Sequence, residues 1–232
     1  KFLTLITGRQ VGVCLSPSVV ADEVERTGDS YKITASTILC AEDFAIEPPV
    51  GKPLFEVIGN DVTVDCSNPM PLRTKIIGTG TGIALRVNSH SDVKIRNCYI
   101  ENFSTAISFN LVSNGEIINS TIIKNARGVQ LLLHEGTLLD SNNISENNQG
   151  IVSFAGRNTL VHNNNIAENT VGAAFVFNDI LIFNQNNVEN NYNKTSLIGA
   201  GLITTLSPLV ATRNTFSNNG NASLITLASI QN

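Results

Sequence analysis

The chain has 232 residues, of which 42% are hydrophobic and only 15% charged, with a net charge of −4. Such a composition excludes a disordered chain, and with no basic stripe to neutralise phosphates it excludes general nucleic-acid binding. No apolar run approaches the roughly 18 residues of a membrane-spanning helix.

Residues 1–55 carry no repeat and contain Pro48-Pro49, so they are expected to form a cap or lead-in segment. The opening Lys1-Phe-Leu-Thr-Leu-Ile6 reads as a strand of the mature chain, because the run breaks at Gly8-Arg9-Gln10 instead of continuing as a signal peptide. Residues 56–232 are expected to form one solenoid. Val62-Thr-Val-Asp-Cys66 reads as an early strand, and Gly82-Ile-Ala-Leu85 closes the same coil after an excursion through Pro69 and Pro71.

From there one frame recurs: apolar-x-apolar-x-Asn-x-x-apolar-x-x-Asn-x-x-Gly-apolar. Its copies run Val93 to Phe109, Gly115 to Leu131, Thr137 to Ser153 and Thr159 to Phe175, with a looser copy from Leu181. Ile100, Ile122, Ile144, Ile166 and Val188 stand 22 residues apart. A fixed period of this size, with no helix-forming stretch inside it, predicts a solenoid with one repeat per coil. Three inward columns follow: Ile95, Ile117, Leu139, Val161, Phe183; the Ile100 series; and Ile107, Val129, Ile151, Ala173. They predict three short strands per coil, stacked as parallel sheets about 4.8 Å apart. The step from Val188 to Phe216 is 28 residues, so six extra residues fall within Tyr192 to Leu202. Leu224 to Leu227 reads as a last strand without a polar cap. That end is expected to continue into further chain or to be covered by another subunit.

Asparagine occurs 30 times, but it alternates with the aliphatic ladder, which assigns it to turns of a folded chain and not to a low-complexity tract. Two columns, Asn97, Asn119, Ser141, Asn163, Gln185 and Asn125, Asn147, Asn169, Asn191, are placed at corners, where stacked amides bond along the axis. Asn119 is expected to point inward. Gly128, Gly150 and Gly172 make a further corner column, consistent with positive φ. All three are read as scaffold.

Asn60-Asp-Val-Thr-Val-Asp65, Gly82-Ile-Ala-Leu85, Asp92-Val-Lys-Ile-Arg-Asn-Cys98 and the Asn-x-x-Gly-Ile steps resemble the repeats of the pectate-lyase-like superfamily. The resemblance is in particular to the NosD-like, carbohydrate-binding-and-hydrolysis type, over residues 55–220. It implies an all-β, single right-handed parallel β-helix in an extracellular or periplasmic setting, with frequent glycan contact. Members range from lyases, hydrolases and epimerases to adhesins and phage tailspikes, so no activity is implied. This chain departs from the enzymes in lacking a calcium-type Asp cluster and an Asp-Pro-His-Glu string.

The period shows which charges converge. Asp140 and His162 are one coil apart, either an acid/base dyad or a solvent-exposed hydrogen bond. Glu135, Arg157 and Asp179 form a column of alternating sign, either a substrate cradle or a surface ion-pair ladder of little energetic value. Glu146 and Glu168 stack beside Lys124. No catalytic residue is assigned, and Asp140, His162 and Arg157 are the candidates if the chain is an enzyme. His90, His134 and His162 lack metal-ligand spacing, so neither a metal nor a cofactor is expected.

Four cysteines allow three pairings. Cys66 and Cys98 end equivalent strands of adjacent coils, which favours Cys66–Cys98 with Cys14–Cys40 and an oxidising compartment. Of the sequons at Asn102, Asn119, Asn143, Asn193 and Asn221, Asn193 in the irregular loop is the best glycosylation candidate. The column Lys94, Glu116, Leu138, Leu160, Ile182 turns from charged to aliphatic, with Leu132, Phe154 and Val176 beside it. If these face outward they mark a partner surface; a register error of one residue returns them to the core. The function expected is an exported, cell-surface structural or adhesive module, self-assembling and glycan-contacting, with a polysaccharide lyase or epimerase as the alternative. Expected partners are a second copy or filament neighbour and a polysaccharide, through Glu135, Asp179, Leu138, Leu160 and Ile182.

Overall fold

The computed structural model describes residues 14–67, 74–192 and 199–220, and the backbone of 222–227. The expected strand at Lys1–Ile6, the excursion through Pro69 and Pro71, and Asn193 lie outside these residues. The chain winds through three parallel sheets of nine, eight and eight strands. Each coil visits them in turn; Thr105–Asn110 lies in the first, Glu116–Ile118 in the second and Thr121–Ile123 in the third. Every third strand is a neighbour, so each backbone group bonds to the coil before or after it.

The 22-residue columns pair as expected. Ile117 lies between Ile95 and Leu139, Ile122 between Ile100 and Ile144, and Val129 between Ile107 and Ile151. All are fully buried. β-Branched side chains suit this site, because each stacks on its equivalent in the next coil. Val188 pairs with Phe216 across the 28-residue step, and the first sheet absorbs the insertion between Asn191 and Ala200.

At the N-terminal end a helix, Pro17–Thr27, starts on Pro17 and ends on Gly28, whose φ of 60° closes a bond to Val24 O. Its Val20 and Val24 join the core. The boundary expected at residue 55 falls inside the strand Pro53–Val57. The first coil is already built by Tyr31–Ile33, Thr37–Ile38 and Asp43–Phe44, which pair with the next coil. These strands are short and interrupted, so the repeat frame was not visible in them. Both expected disulfides are formed, Cys14–Cys40 and Cys66–Cys98, with Cα separations of 4.9 and 4.8 Å.

From Asn97 onward the described corners share one device, a residue at positive φ followed by one that points inward. At the second corner, between the second and third sheets, Asn97, Asn119, Ser141, Asn163 and Gln185 take φ of 48–61°. Asn119 is therefore exposed, contrary to expectation, and its amide donates outward to Asn97 Oδ1 at 2.8 Å. The inward ladder is the next column, Ser120, Asn142, Asn164 and Asn186, where each Oδ1 accepts the backbone N–H of the coil before it at 2.9 Å. At the third corner Asn125, Asn147, Asn169 and Asn191 form the equivalent buried ladder. Gly128, Gly150 and Gly172 are not positive-φ residues. They sit in the first sheet, where a Cβ would meet the carbonyl oxygen of the next coil's glycine at 2.6, 2.3 and 2.4 Å. Close backbone approach, not φ, requires them.

Candidate functional site

The first corner, between the first and second sheets, departs from this pattern. Its positive-φ column is Ser89, Leu111, Leu133, Ala155, Phe177 and Leu206. Bulky residues in that conformation are sterically disfavoured, and here Leu111, Leu133 and Phe177 are also half exposed, at 51, 53 and 50%. Ile180, β-branched, is a second outlier three residues past Phe177, with φ of 56°. On the flanking strands Phe154, Ile182 and Val210 are exposed too. Eight of the twelve exposed large hydrophobic residues among those described therefore lie on this corner or beside it. Phe154 and Phe177 meet edge to face, ring centroids 5.5 Å apart.

Leu138, Leu160 and Ile182 stack in one outward column of the second sheet, so the expected register holds. Leu138 and Leu160 are half-buried and Ile182 exposed; Leu132 and Val176 are likewise half-buried on the outward face of the first sheet. The sequence reading missed the adjacent Leu133 and Phe177. The trace they leave is a break in alternation and not a propensity: Leu131-Leu132-Leu133 and Phe175-Val176-Phe177 run three apolar residues together at the same point of two coils.

The small Ala155, between Leu133 and Phe177 in the outward column, makes a dent in the ridge. Together with Gly156, Leu111, Leu133, Phe177 and the charged column it lines an open groove of about 540 Å³. Glu135, Arg157 and Asp179 occupy adjacent coils along it, as expected, and all three are exposed. No ion pair joins them. The column thus presents negative, positive and negative charge to solvent instead of pairing within itself.

Beneath the groove the inward column is Val112, His134, Gly156, Asn178 and Ser207, with no continuous asparagine ladder. His134 is buried and neutral. Burial pulls its pKa down to about 4. Ser153 Oγ donates to Asn178 Oδ1 at 2.6 Å, which makes it the acceptor for His134 Nε2–H at 2.8 Å; Nδ1 then accepts from Thr137 Oγ1 at 2.8 Å. Gly156 makes room for this imidazole, since a Cβ there would lie 2.1 Å from Nε2. Ser153 is fully buried, so this Ser–His contact is structural.

Asp140 and His162 meet as expected, with Oδ1 to Nδ1 at 2.7 Å. The second ring nitrogen is 2.6 Å from Gln185 Oε1. Hydrogen bonding to Asp140, then to Gln185, raises the His162 pKa. Both nitrogens are occupied, which favours the imidazolium and leaves no lone pair for a general base. Arg157 does not join this pair. It opens the strand Arg157–His162, and the two ends are roughly 15 Å apart.

Comparison with known proteins shows the fold. No curated protein matches the sequence. A full-length tailspike protein 2 from an Escherichia coli bacteriophage is similar at 10% identity over 95% of this chain and 42% of that one, TM-score 0.57. The pectate lyase Pel9A is similar at 12% identity over 79% of this chain and 56% of that one, TM-score 0.53. DFA-IIIase from Arthrobacter chlorophenolicus is similar at 10% identity over 87% and 66%, TM-score 0.51. The chain spans about half the length of the first two. Residues 82–232 match the model of the right-handed β-helix region, and the chain belongs to that family.

Proposed function

We propose that this protein is a structural or adhesive module of the cell exterior that makes its contacts through the first corner. One observation carries the reading: the exposed large hydrophobic side chains are concentrated there, several of them in a backbone conformation that disfavours them. A strained, solvent-exposed apolar ridge reduces the stability of the isolated chain and is retained where it meets something. Two disulfides support an oxidising setting. Among the described residues no helix is long and apolar enough to cross a membrane.

Polysaccharide is the second material this surface would meet. Proteins named as a tailspike and a pectate lyase share the fold, and an open groove with apolar walls and charged groups suits a sugar chain. A catalytic reading rests on the Asp140–His162 contact alone. Leu133→Asp should abolish self-association and retention on immobilised polysaccharide without changing the melting temperature measured at a concentration where the wild type is dissociated. Turnover of a polysaccharide panel that falls by about 10²-fold in His162→Ala would overturn the reading and move the site to Asp140 and His162.

A further inference from the structure

We propose that the first corner is a two-fold interface between two copies of this chain, packed antiparallel so that Arg157 of each lies against Asp179 of the other. The inference rests on the reading of the corner as the contact face and names its partner. It starts from the unpaired charges. The neighbours Glu135, Arg157 and Asp179 form no ion pair with one another, so the column presents its alternating charges outward. A two-fold axis perpendicular to the solenoid, passing between the coils of Arg157 and Asp179, sets each of these two opposite the other twice. Isologous interfaces have this reciprocity. Glu135 then falls opposite Pro208, where it meets no like charge.

The same axis matches shape. It carries Phe177 onto the coil of Ala155, whose small side chain leaves the dent in the groove. Leu133 is carried onto Leu206, both exposed. An axis one coil earlier would also pair charges, Glu135 with Arg157. It would set the smaller Leu133 over the dent and the two half-exposed side chains Phe177 and Leu111 against each other, whereas the first axis places the largest ring of the ridge in the dent and the less exposed Leu206 against Leu133. Both axes pair charge, and the one that covers the Phe177 ring is the one proposed. The two copies would then form a cluster of four rings, because Phe154 already packs on Phe177 in each.

Sedimentation velocity on the intact chain tests this. The wild type should be a dimer. Arg157→Asp and Asp179→Arg should each weaken association by ~10²-fold or more, since each puts two like charges together. The double variant Arg157→Asp/Asp179→Arg reverses both pairs and should restore the dimer to within ~10-fold of wild type. Both sites of change are exposed, so melting temperatures measured at concentrations that keep the wild type dissociated should stay level and separate association from folding. A wild type of single-chain mass up to about 1 mM overturns the inference; if it is still retained on polysaccharide through Phe177, the contact-face reading survives. A dimer broken by Phe177→Ala but not rescued by the reversal also overturns the pairing and leaves the face. If neither Phe177→Ala nor the charge variants change mass or retention, both readings fall.

Discussion

The second and third corners and the first solve one geometric problem with opposite chemistry. All three turn the chain with a residue at positive φ. The second and third place Asn, Ser, Gln, Lys and Glu there, residues that are content in water, and follow them with buried, amide-bonded columns. The first places Leu and Phe in the same conformation, exposes them, and replaces the ladder with a single His134–Ser153–Asn178 network. Two corners are optimised for stability of the coil. The first bears a cost in conformation and in exposed apolar surface that the fold itself does not require, and this is the physical signature of a surface kept for contact.

The comparison breaks if the ladders are not what holds the solenoid. Asn147 Oδ1 accepts from Asn125 N and Nδ2 at 2.9 and 3.1 Å, while its own Nδ2 donates to Ile122 O, Ser145 O and Asn169 Oδ1. Asn147→Ala strands several of these buried groups at once, and should lower the unfolding free energy in urea by about 3–5 kcal/mol. A loss below about 1 kcal/mol would mean that water or relaxation substitutes for the ladder. Next in size is the Cys66–Cys98 bridge. Cys98 heads the second-corner column, its N–H donating to Ser120 Oγ at 3.2 Å. Replacing both cysteines with Ala should lower stability by about 2–4 kcal/mol, measured on the same urea curves.

Acid should act on the first corner through His134. The unfolded chain binds a proton on His134 below its ordinary pKa of 6.5, whereas the folded chain refuses it until about pH 4. Stability present above pH 6.5 is therefore lost as pH falls toward 4, and the loss levels off below that. It is on the order of 2–3 kcal/mol. His134→Gln should remove this part of the slope between pH 7 and 4, and an unchanged slope would assign it elsewhere. The half-buried His162, whose pKa is raised by its hydrogen bond to Asp140, has the opposite sign: its contribution is present at low pH and fades as pH rises through its raised pKa.

Most of the coil was legible because a 22-residue step fixes which residues stack, whatever the corners do. The Ile100 column and the outward Leu138, Leu160, Ile182 column follow from spacing and strand alternation alone. The corners were harder. Asn119 and Ser120 are adjacent and both polar, and only backbone geometry says that the first points out and the second in. Glycine signals positive φ and close approach by the same letter, so Gly150 was read for the wrong one of its two properties. Leu133 and Phe177 escaped because no local preference puts such residues at positive φ; a position that violates propensity is invisible to a reading built on propensity. Arg157 was joined to Asp140 and His162 by shared face, yet it pairs with Glu135 at the start of the strand Arg157–His162, while His162 pairs with Asp140 at its end.

The smallest expected effect is the sharpest, because its sign differs from that of ordinary mutations. If Phe177 is retained for contact and not for folding, then replacing it with the residue the other corners use should relieve strain. Phe177→Asn keeps φ near 55°, which Asn tolerates and Phe does not, and withdraws a half-exposed ring from water. It forfeits the edge-to-face contact with Phe154, about 0.5–1.5 kcal/mol where buried and less at this exposed site. The balance favours a more stable monomer, by about 0.5 kcal/mol, that has lost its association. Asn119→Phe, the reciprocal change at the second corner, should destabilise by a similar amount and create no dimer. Urea unfolding of the two variants, at a concentration low enough to keep the wild type dissociated, decides it. A destabilised Phe177→Asn would show that the ring supports the coil, and the first corner would then differ from the others in composition only.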